Sequence, residues 1–300
     1  MYDILVVGSG PAGLTSAIYA RRAMLSVLVV EKDYMGSGQI AVSECVDNYP
    51  GIPGVSGYEL GEKFRTHAEQ LGTEFLEGNV DSISCENGVW KVVVDGDREI
   101  LAKTVIYTAG TSYRRLEVKG GDLQCISYCA VCDGMFYKDK TVAVVGGGDT
   151  ALGDAVYLSK IASKVYIIHR RDEFRANKSL QERVSRIPNI ETVMNSQVVE
   201  ITGQTKADGI IISENGEQRK ISVDGIFCAI GSIPNTDVLK GVCELDKDGY
   251  VIAGEDGVTT ARGLFVAGDV RTTPLRQVVT AAADGANALL SAENYLNETR

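Results

Sequence analysis

Two glycine-rich turns, each set between an apolar strand pattern and a helical one, leave this 300-residue chain few folds to choose from. The first follows the run Tyr2-Asp3-Ile4-Leu5-Val6-Val7 and reads Gly8-Ser9-Gly10-Pro11-Ala12-Gly13. A helical stretch at 14–23 comes next, then a second apolar strand at 26–30 that ends on Glu31. The pattern returns with a strand at 142–145, the turn Gly146-Gly147-Gly148-Asp149-Thr150-Ala151, a helix at 152–161 and a strand at 164–168. Gly8 to Glu31 is 23 residues, and Gly146 to His169 is also 23. In such a strand–turn–helix–strand unit the glycines let a pyrophosphate approach the helix N-terminus, where unpaired N–H groups and the helix dipole favour an anion. A lone glycine motif says little; one with its strands, helix and terminal residue in place predicts nucleotide binding. The predicted class is therefore α/β, with two Rossmann-like βαβ nucleotide-binding domains.

Because the two units are in register, the residue ending each second strand can be compared directly. In the first unit it is Glu31, followed by Lys32, and a carboxylate there accepts hydrogen bonds from a ribose diol. The second unit ends on His169-Arg170-Arg171, with Arg175 shortly after. Guanidinium groups hold a ribose 2′-phosphate through charge-assisted, often bidentate hydrogen bonds, where a carboxylate would repel it. The first unit is thus expected to take an unphosphorylated adenosine ribose, and the second NADPH in preference to NADH.

Each unit has a similar tail. Residues 80–101 read as an antiparallel meander turning at Asn87-Gly88, leading into Thr104-Val105-Ile106-Tyr107-Thr108-Ala109-Gly110. Residues 197–223 repeat it with Asn215-Gly216, leading to Gly225-Ile226-Phe227-Cys228-Ala229-Ile230-Gly231. The first copy is the longer, and the surplus is placed around 35–68, with a helix near 57–71. The strand pattern Gly263-Leu264-Phe265-Val266-Ala267-Gly268-Asp269 and an Ala-rich helical stretch at 275–295 are read as a return to the first domain. Connectors are expected near 111–117 and 232–244, both holding Gly, Ser or Pro.

A formal charge of −10 disfavours nucleic acid or an anionic membrane as a general partner. No run approaches the roughly 18–20 apolar residues of a membrane span, and the chain opens on a strand without a basic leader. A cytoplasmic protein is the default expectation. The seven cysteines are scattered except for Cys125, Cys129 and Cys132, which argues against a disulfide framework.

Two of these lie within the stretch Tyr128-Cys129-Ala130-Val131-Cys132-Asp133-Gly134, and Cys125 just before it. Two cysteines spaced this way either form a redox couple or supply half a zinc site. Zinc needs four ligands, only three cysteines are at hand and no histidine is near in sequence, so no metal is expected. The position just ahead of the second nucleotide unit favours the redox couple. Asp133 reads either as an acid–base beside the second sulfur or as a plain Asp-Gly turn residue.

Taken together, these motifs resemble the low-molecular-weight, bacterial-type thioredoxin reductases over nearly the whole chain. The most specific pieces are the stretch at 127–134, the run from His169 to Ala176, and Leu264 to Val270 followed by Leu275 to Ala282. The resemblance implies the two-dinucleotide-binding-domain flavoprotein fold, with the second domain inserted in the first. It implies an FAD domain at 1–112 and 243–300, an NADPH domain at 113–242, and a homodimer. Gly8, Gly10, Pro11, Ala12, Gly13, Glu31 and Lys32 would hold the adenosine diphosphate half of FAD. Gln39, Asn48, Ala109, Gly110, Gly268, Asp269, Arg276, Gln277 and Val278 would lie along the rest of it. NADPH would meet Gly146, Gly148, Asp149, Thr150, Ala151, His169, Arg170, Arg171 and Arg175. Cys129 and Cys132 would be the redox disulfide and Asp133 the acid–base, passing electrons to thioredoxin or a similar small dithiol protein. In this family one domain rotates against the other so that disulfide and nicotinamide take turns at the flavin.

Three features depart from the family pattern. The connection from Gly120 to Tyr128 is short, Cys125 is additional, and Asp149 stands where many members have Asn. A carboxylate beside a pyrophosphate must point away or make its own hydrogen bonds. Cys125 reads as an unreactive thiol, with an inhibitory disulfide to Cys129 as the sharper alternative. Other readings are a reductase of another small redoxin, a ferredoxin-driven reductase, a dithiol oxidase, or a flavin redox sensor without turnover. The ferredoxin and oxidase readings do not need the arginine cluster.

Overall fold

The computed structural model describes residues 1–32, 37–43, 45–214 and 216–299, with Val42 described by its backbone alone. In chain order, β1 (Tyr2–Val7), α1 (Pro11–Arg22) and β2 (Val27–Glu31) form the first βαβ unit. A capped helix α2 (Gly57–Gln70), whose Ser56 side chain accepts from the Glu59 amide, leads to β3 (Glu74–Glu77). The meander comprises β4 (Val80–Glu86), β5 (Val89–Val94) and β6 (Arg98–Tyr107), followed by β7 (Thr111–Tyr113). Then come β8 (Ile126–Ser127), the short α3 (Ala130–Asp133), β9 (Thr141–Val145), α4 (Asp149–Leu158), β10 (Lys164–Ile168), α5 (Lys178–Ser185) and β11 (Ile190–Val193). A second meander, β12 (Ser196–Gly203), β13 (Ala207–Glu214) and β14 (Glu217–Ser222), precedes β15 (Gly225–Cys228) and β16 (Ser232–Pro234). The chain finishes with β17 (Leu264–Val266) and the long α6 (Val278–Glu298).

The chain divides into two compact units, Met1–Ser112 with Ile233–Arg300, and Tyr113–Ser232. In the first, the sheet order is β3-β2-β1-β6-β5-β4, with β17 pairing the C-terminal half of β6. Pairs β1–β2, β1–β6 and β6–β17 are parallel, whereas β4, β5 and β6 form an antiparallel meander. Parallel strands are covered on both faces and so read as continuous apolar runs. Alternate residues of β1 and β2 accordingly enter two cores. Ile4, Val6, Val27 and Val29 pack with Ala17 of α1 and Ala288 and Leu289 of α6. Leu5, Val7, Leu28 and Val30 pack with Trp90 and Val92 of the meander.

The second unit repeats the plan around an all-parallel sheet ordered β11-β10-β9-β15-β8. Val142, Val144, Val165 and Ile167 pack with Leu152 and Ala155 of α4. Ala143, Val145 and Ile168 pack with Val198, Ile201 and Ile210 of the three-stranded meander. The segment joining β2 to β3 is longer than the one joining β10 to β11, which is where the extra length of the first copy was expected.

Two expected boundaries shift. The segment 233–242, expected with the inserted half, groups with the first unit. Leu239 is fully buried in that unit's core, and the Asn235 backbone N–H donates to the Gly110 carbonyl at 3.0 Å. The last helix begins at Val278 rather than 275, because Gln277 is extended and its N–H is capped by Thr280 Oγ1 at 3.0 Å. Asn87 and Gly88 both lie in the left-handed region, as a tight hairpin requires. Met35 and Asn215 lie outside the described residues.

Candidate active site

In the first unit, α1 approaches β1 so closely that a side chain at Gly13 would collide with the Gly8 carbonyl. Pro11 opens the helix and no side chain caps it, so its first N–H groups face outward without an intrahelical partner. Gly10 is different, for among the described residues no heavy atom comes nearer than 3.9 Å to the place a Cβ would take. Bare backbone, an uncapped helix end and no acidic residue in the first turn suit a pyrophosphate, so the residues present fit a dinucleotide.

Glu31 reaches back to this turn from the end of β2, where Oε2 accepts from the Ser9 backbone N at 2.6 Å and from Ser9 Oγ at 2.9 Å. The Lys32 N–H donates to its other oxygen at 2.7 Å. The Gly38 turn lies beside Gly10, with Gly10 Cα 3.2 Å from where a Gly38 Cβ would be. Gln39 Nε2 donates to the backbone oxygen of Thr111 and to Thr111 Oγ1. Asn48 Nδ2 donates to Gln277 Oε1 at 2.9 Å, which joins the loop after β2 to the start of α6 and its first residue, Val278.

Gly268 follows β17, and a Cβ there would stand 3.0 Å from that of Ala12. The next residue, Asp269, has its carboxyl pushed up to about 6 by burial, against the opposing pull of Arg276. Arg276 Nε donates to the Asp269 carbonyl at 3.3 Å, and its guanidinium lies 4.3 Å from the Tyr250 ring centre. Ala109 and Gly110 are clamped by Asn235, whose side-chain amide donates to the Ala109 carbonyl at 2.8 Å. Neither Asn235 nor Ser9 was singled out from sequence; each bonds to a backbone group or carboxylate more than 20 residues away.

In the second unit, Gly148 precedes α4, again with no side-chain cap and, among the described residues, nothing within 4 Å of a Cβ position. Gly146 and Gly147 are packed instead, against the Ala229 carbonyl and the His169 ring. Thr150 and Ala151 form the first turn of α4 behind Asp149. Asp149 Oδ1 accepts from both the backbone N and Nδ2 of Asn177, each at 2.8 Å, so this carboxylate does make its own hydrogen bonds. Arg170, Arg171 and Arg175 are exposed, and no guanidinium of the three has a hydrogen-bond or ion-pair partner among the described residues. Three unpaired cations in a protein of net charge −10 make a local anion site, which fits a 2′-phosphate. His169 is buried, and burial pulls its pKa down with Arg171, Arg170 and Arg175 adding to the effect. Its Nε2 lies 3.0 Å from the Glu173 carbonyl, which can only accept, so Nε2 donates.

The same unit carries the cysteines. Cys129 is joined to Cys132 by a disulfide, and Cys129 Sγ accepts from the Cys132 N–H at 3.2 Å as the cap of α3. Ser127, 5% exposed, links both ends of this turn. Its Oγ donates to Asp133 Oδ2 at 2.6 Å and accepts from the Cys129 N–H at 3.1 Å. Tyr128, immediately before Cys129, stacks on Tyr113 at 4.9 Å between ring centres. The Ser and Tyr stand inside the motif that identified the turn, yet spacing alone did not reveal their contacts. Cys125 is a free thiol with a left-handed backbone, its carbonyl accepting from Ile226 N, and it is not bonded to Cys129. Burial pushes the Cys228 thiol up to about 12 and Cys243 to about 11, which keeps both unreactive. Among the described residues no cluster could hold a metal ion, and no helix is long and apolar enough to cross a membrane.

Residues 2–285 match the family model for pyridine nucleotide-disulphide oxidoreductases, and the chain belongs to that family. It is 38% identical to the thioredoxin reductase of Bacillus subtilis (strain 168) over 304 residues, covering 99% of this chain and 96% of that protein. It is similarly related to the thioredoxin reductase of Listeria monocytogenes serovar 1/2a, at 36% identity over the whole chain and 95% of that protein. The crystal structure of thioredoxin reductase from Streptococcus pyogenes superposes with a TM-score of 0.93 at 38% identity, with 99% of each chain covered. The chain is accordingly an FAD-dependent oxidoreductase that uses NADPH.

Proposed function

We infer that this enzyme is a thioredoxin reductase that spends the reducing power of NADPH on the Cys129–Cys132 disulfide and then on the disulfide of thioredoxin. The observation that carries the reading is the Cys129–Cys132 bond, closed beside a carboxylate and lying in the chain between two nucleotide units. Bound NADPH and FAD supply a hydride donor and a two-electron carrier. We assign FAD to the unit containing Gly8–Glu31, with Asp269, Arg276, Gln277 and Val278 toward the far end of the cofactor. We assign NADPH to the unit containing Gly146, Gly148, Asp149, Thr150 and Ala151, with Arg170, Arg171 and Arg175 on the 2′-phosphate.

The protein's own part is thiol exchange. Two electrons and two protons open the Sγ–Sγ bond to a dithiol. One thiol, once deprotonated, attacks the partner disulfide, forming a mixed disulfide and expelling one partner sulfur as thiolate. The second cysteine then attacks the mixed disulfide, which restores Cys129–Cys132 and frees the partner dithiol. A proton has to leave one sulfur and reach another at each transfer, and Asp133 is placed to carry it, held by Ser127. The N-terminal N–H groups of α1 and of α4, left without side-chain caps, orient the phosphates.

The unpaired arginines favour NADPH over a ferredoxin or oxygen-driven reading. The partner is thioredoxin or a similar small dithiol protein, the assembly a homodimer of 32.2 kDa chains, and the compartment the cytoplasm. Turnover with NADPH and oxidised thioredoxin tests the assignment. Wild type should turn over, and Cys132→Ser should lose turnover yet keep its FAD. A Cys132→Ser variant that still reduced thioredoxin would overturn it.

A further inference from the structure

Residues 170–177 form an irregular loop carrying Arg170, Arg171 and Arg175, whose charges repel one another. Its position therefore depends on where its backbone is fastened. The Arg175 N–H donates to the Gly147 carbonyl at 2.8 Å, so the loop hangs on the middle of the glycine turn. His169 Nε2 holds the Glu173 carbonyl at 3.0 Å while its ring lies against Gly147. At the far end, Asp149, first residue of α4, accepts twice from Asn177, which itself caps α5 by accepting from the Leu180 N–H at 2.9 Å. The glycine turn and the arginine loop meet different phosphates of one coenzyme. They reinforce each other only if the distance between them is fixed before binding.

We propose that the Asp149–Asn177 pair is a latch that sets the preference for a 2′-phosphorylated coenzyme by holding the arginine loop at a fixed span from the glycine turn. The inference rests on the NADPH assignment above and deepens it. Asp149 and Asn177 act as positioning residues; the guanidinium groups make the contact. NADH, which makes no use of the arginines, should be nearly indifferent to the latch. The same pair explains how a carboxylate is tolerated beside a pyrophosphate, since both donors of Asn177 turn its Oδ1 toward the loop.

The test uses the FAD-loaded enzyme and measures binding of NADP⁺ and NAD⁺ by calorimetry. Asn177→Asp keeps a good helix cap but replaces the donor with a second carboxylate facing Asp149. It should weaken NADP⁺ binding by about tenfold, the worth of a hydrogen bond to a charged group, and NAD⁺ by less than about twofold. Adding Asp149→Asn exchanges donor and acceptor, and the double variant should regain the wild-type NADP⁺/NAD⁺ ratio. Equal weakening of both coenzymes, an unmoved ratio in Asn177→Asp, or no rescue in the double variant would overturn the latch. A wild-type enzyme without preference for NADP⁺ would instead remove the coenzyme assignment, and the latch with it.

Discussion

Ser127 and Asp133 tie the two ends of the cysteine turn together through one hydrogen bond. The 2.6 Å hydrogen bond fixes one carboxylate oxygen beside the peptide that carries Cys132. Replacing Asp133 with Asn should slow thiol exchange on the order of a hundredfold while FAD remains bound. Ser127→Ala should slow it by about tenfold, and Ser127→Thr should restore most of the loss. Unchanged turnover in Asp133→Asn would reject the acid–base role. Asp154 offers a second prediction at this scale, since burial on α4 raises its carboxyl from an ordinary 3.8 to about 7. The folded chain thus holds this proton more tightly than the unfolded one, and stability falls as pH climbs from about 4 to about 7. Asp154→Asn should raise unfolding stability at pH 8 by as much as about 4 kcal/mol, with a smaller gain at pH 5. An equal gain at both pH values in denaturant titrations would contradict this.

Elements were the most readable layer. The strands of both βαβ units, the Asn87-Gly88 hairpin and the long last helix follow from apolar runs, turn chemistry and periodicity, which are local properties. What the sequence could not reveal are bonds between residues brought together only by folding, such as Ser9 with Glu31, Asn235 with Ala109, and Asp149 with Asn177. The same holds for Arg271 and Asp284, a buried pair with contacts of 2.6 and 2.7 Å that joins the segment after β17 to α6. Asp284 also accepts from the Gly268 N–H at 3.1 Å, so it braces the turn that presents Asp269. Each residue looks like an ordinary surface charge in sequence. Removing one partner leaves a buried uncompensated charge, so Arg271→Ala should cost about 3–5 kcal/mol in denaturant titration and lower FAD occupancy. A loss below about 1 kcal/mol, typical of a surface pair, would show that the brace is dispensable.

On the scale of the whole chain, one plan is used twice: a parallel sheet with helices on one face and an antiparallel meander on the other. The copies differ at Glu31 against His169-Arg170-Arg171 and in the cysteine turn that only the second unit carries. The insertion of one unit in the other was legible from the order of motifs, but its return point was not. Residues 233–242 belong with the first unit through Leu239, buried in its core, and Asn235, which bonds to Gly110 over a hundred residues earlier. The most direct test of the electron path is an anaerobic titration of the purified yellow protein, followed by flavin absorbance. NADPH should bleach the flavin where NADH at the same concentration does so far less, and oxidised thioredoxin should then restore the colour, except in Cys132→Ser. Bleaching that NADH matches, or colour returning in Cys132→Ser as fast as in wild type, would contradict the account.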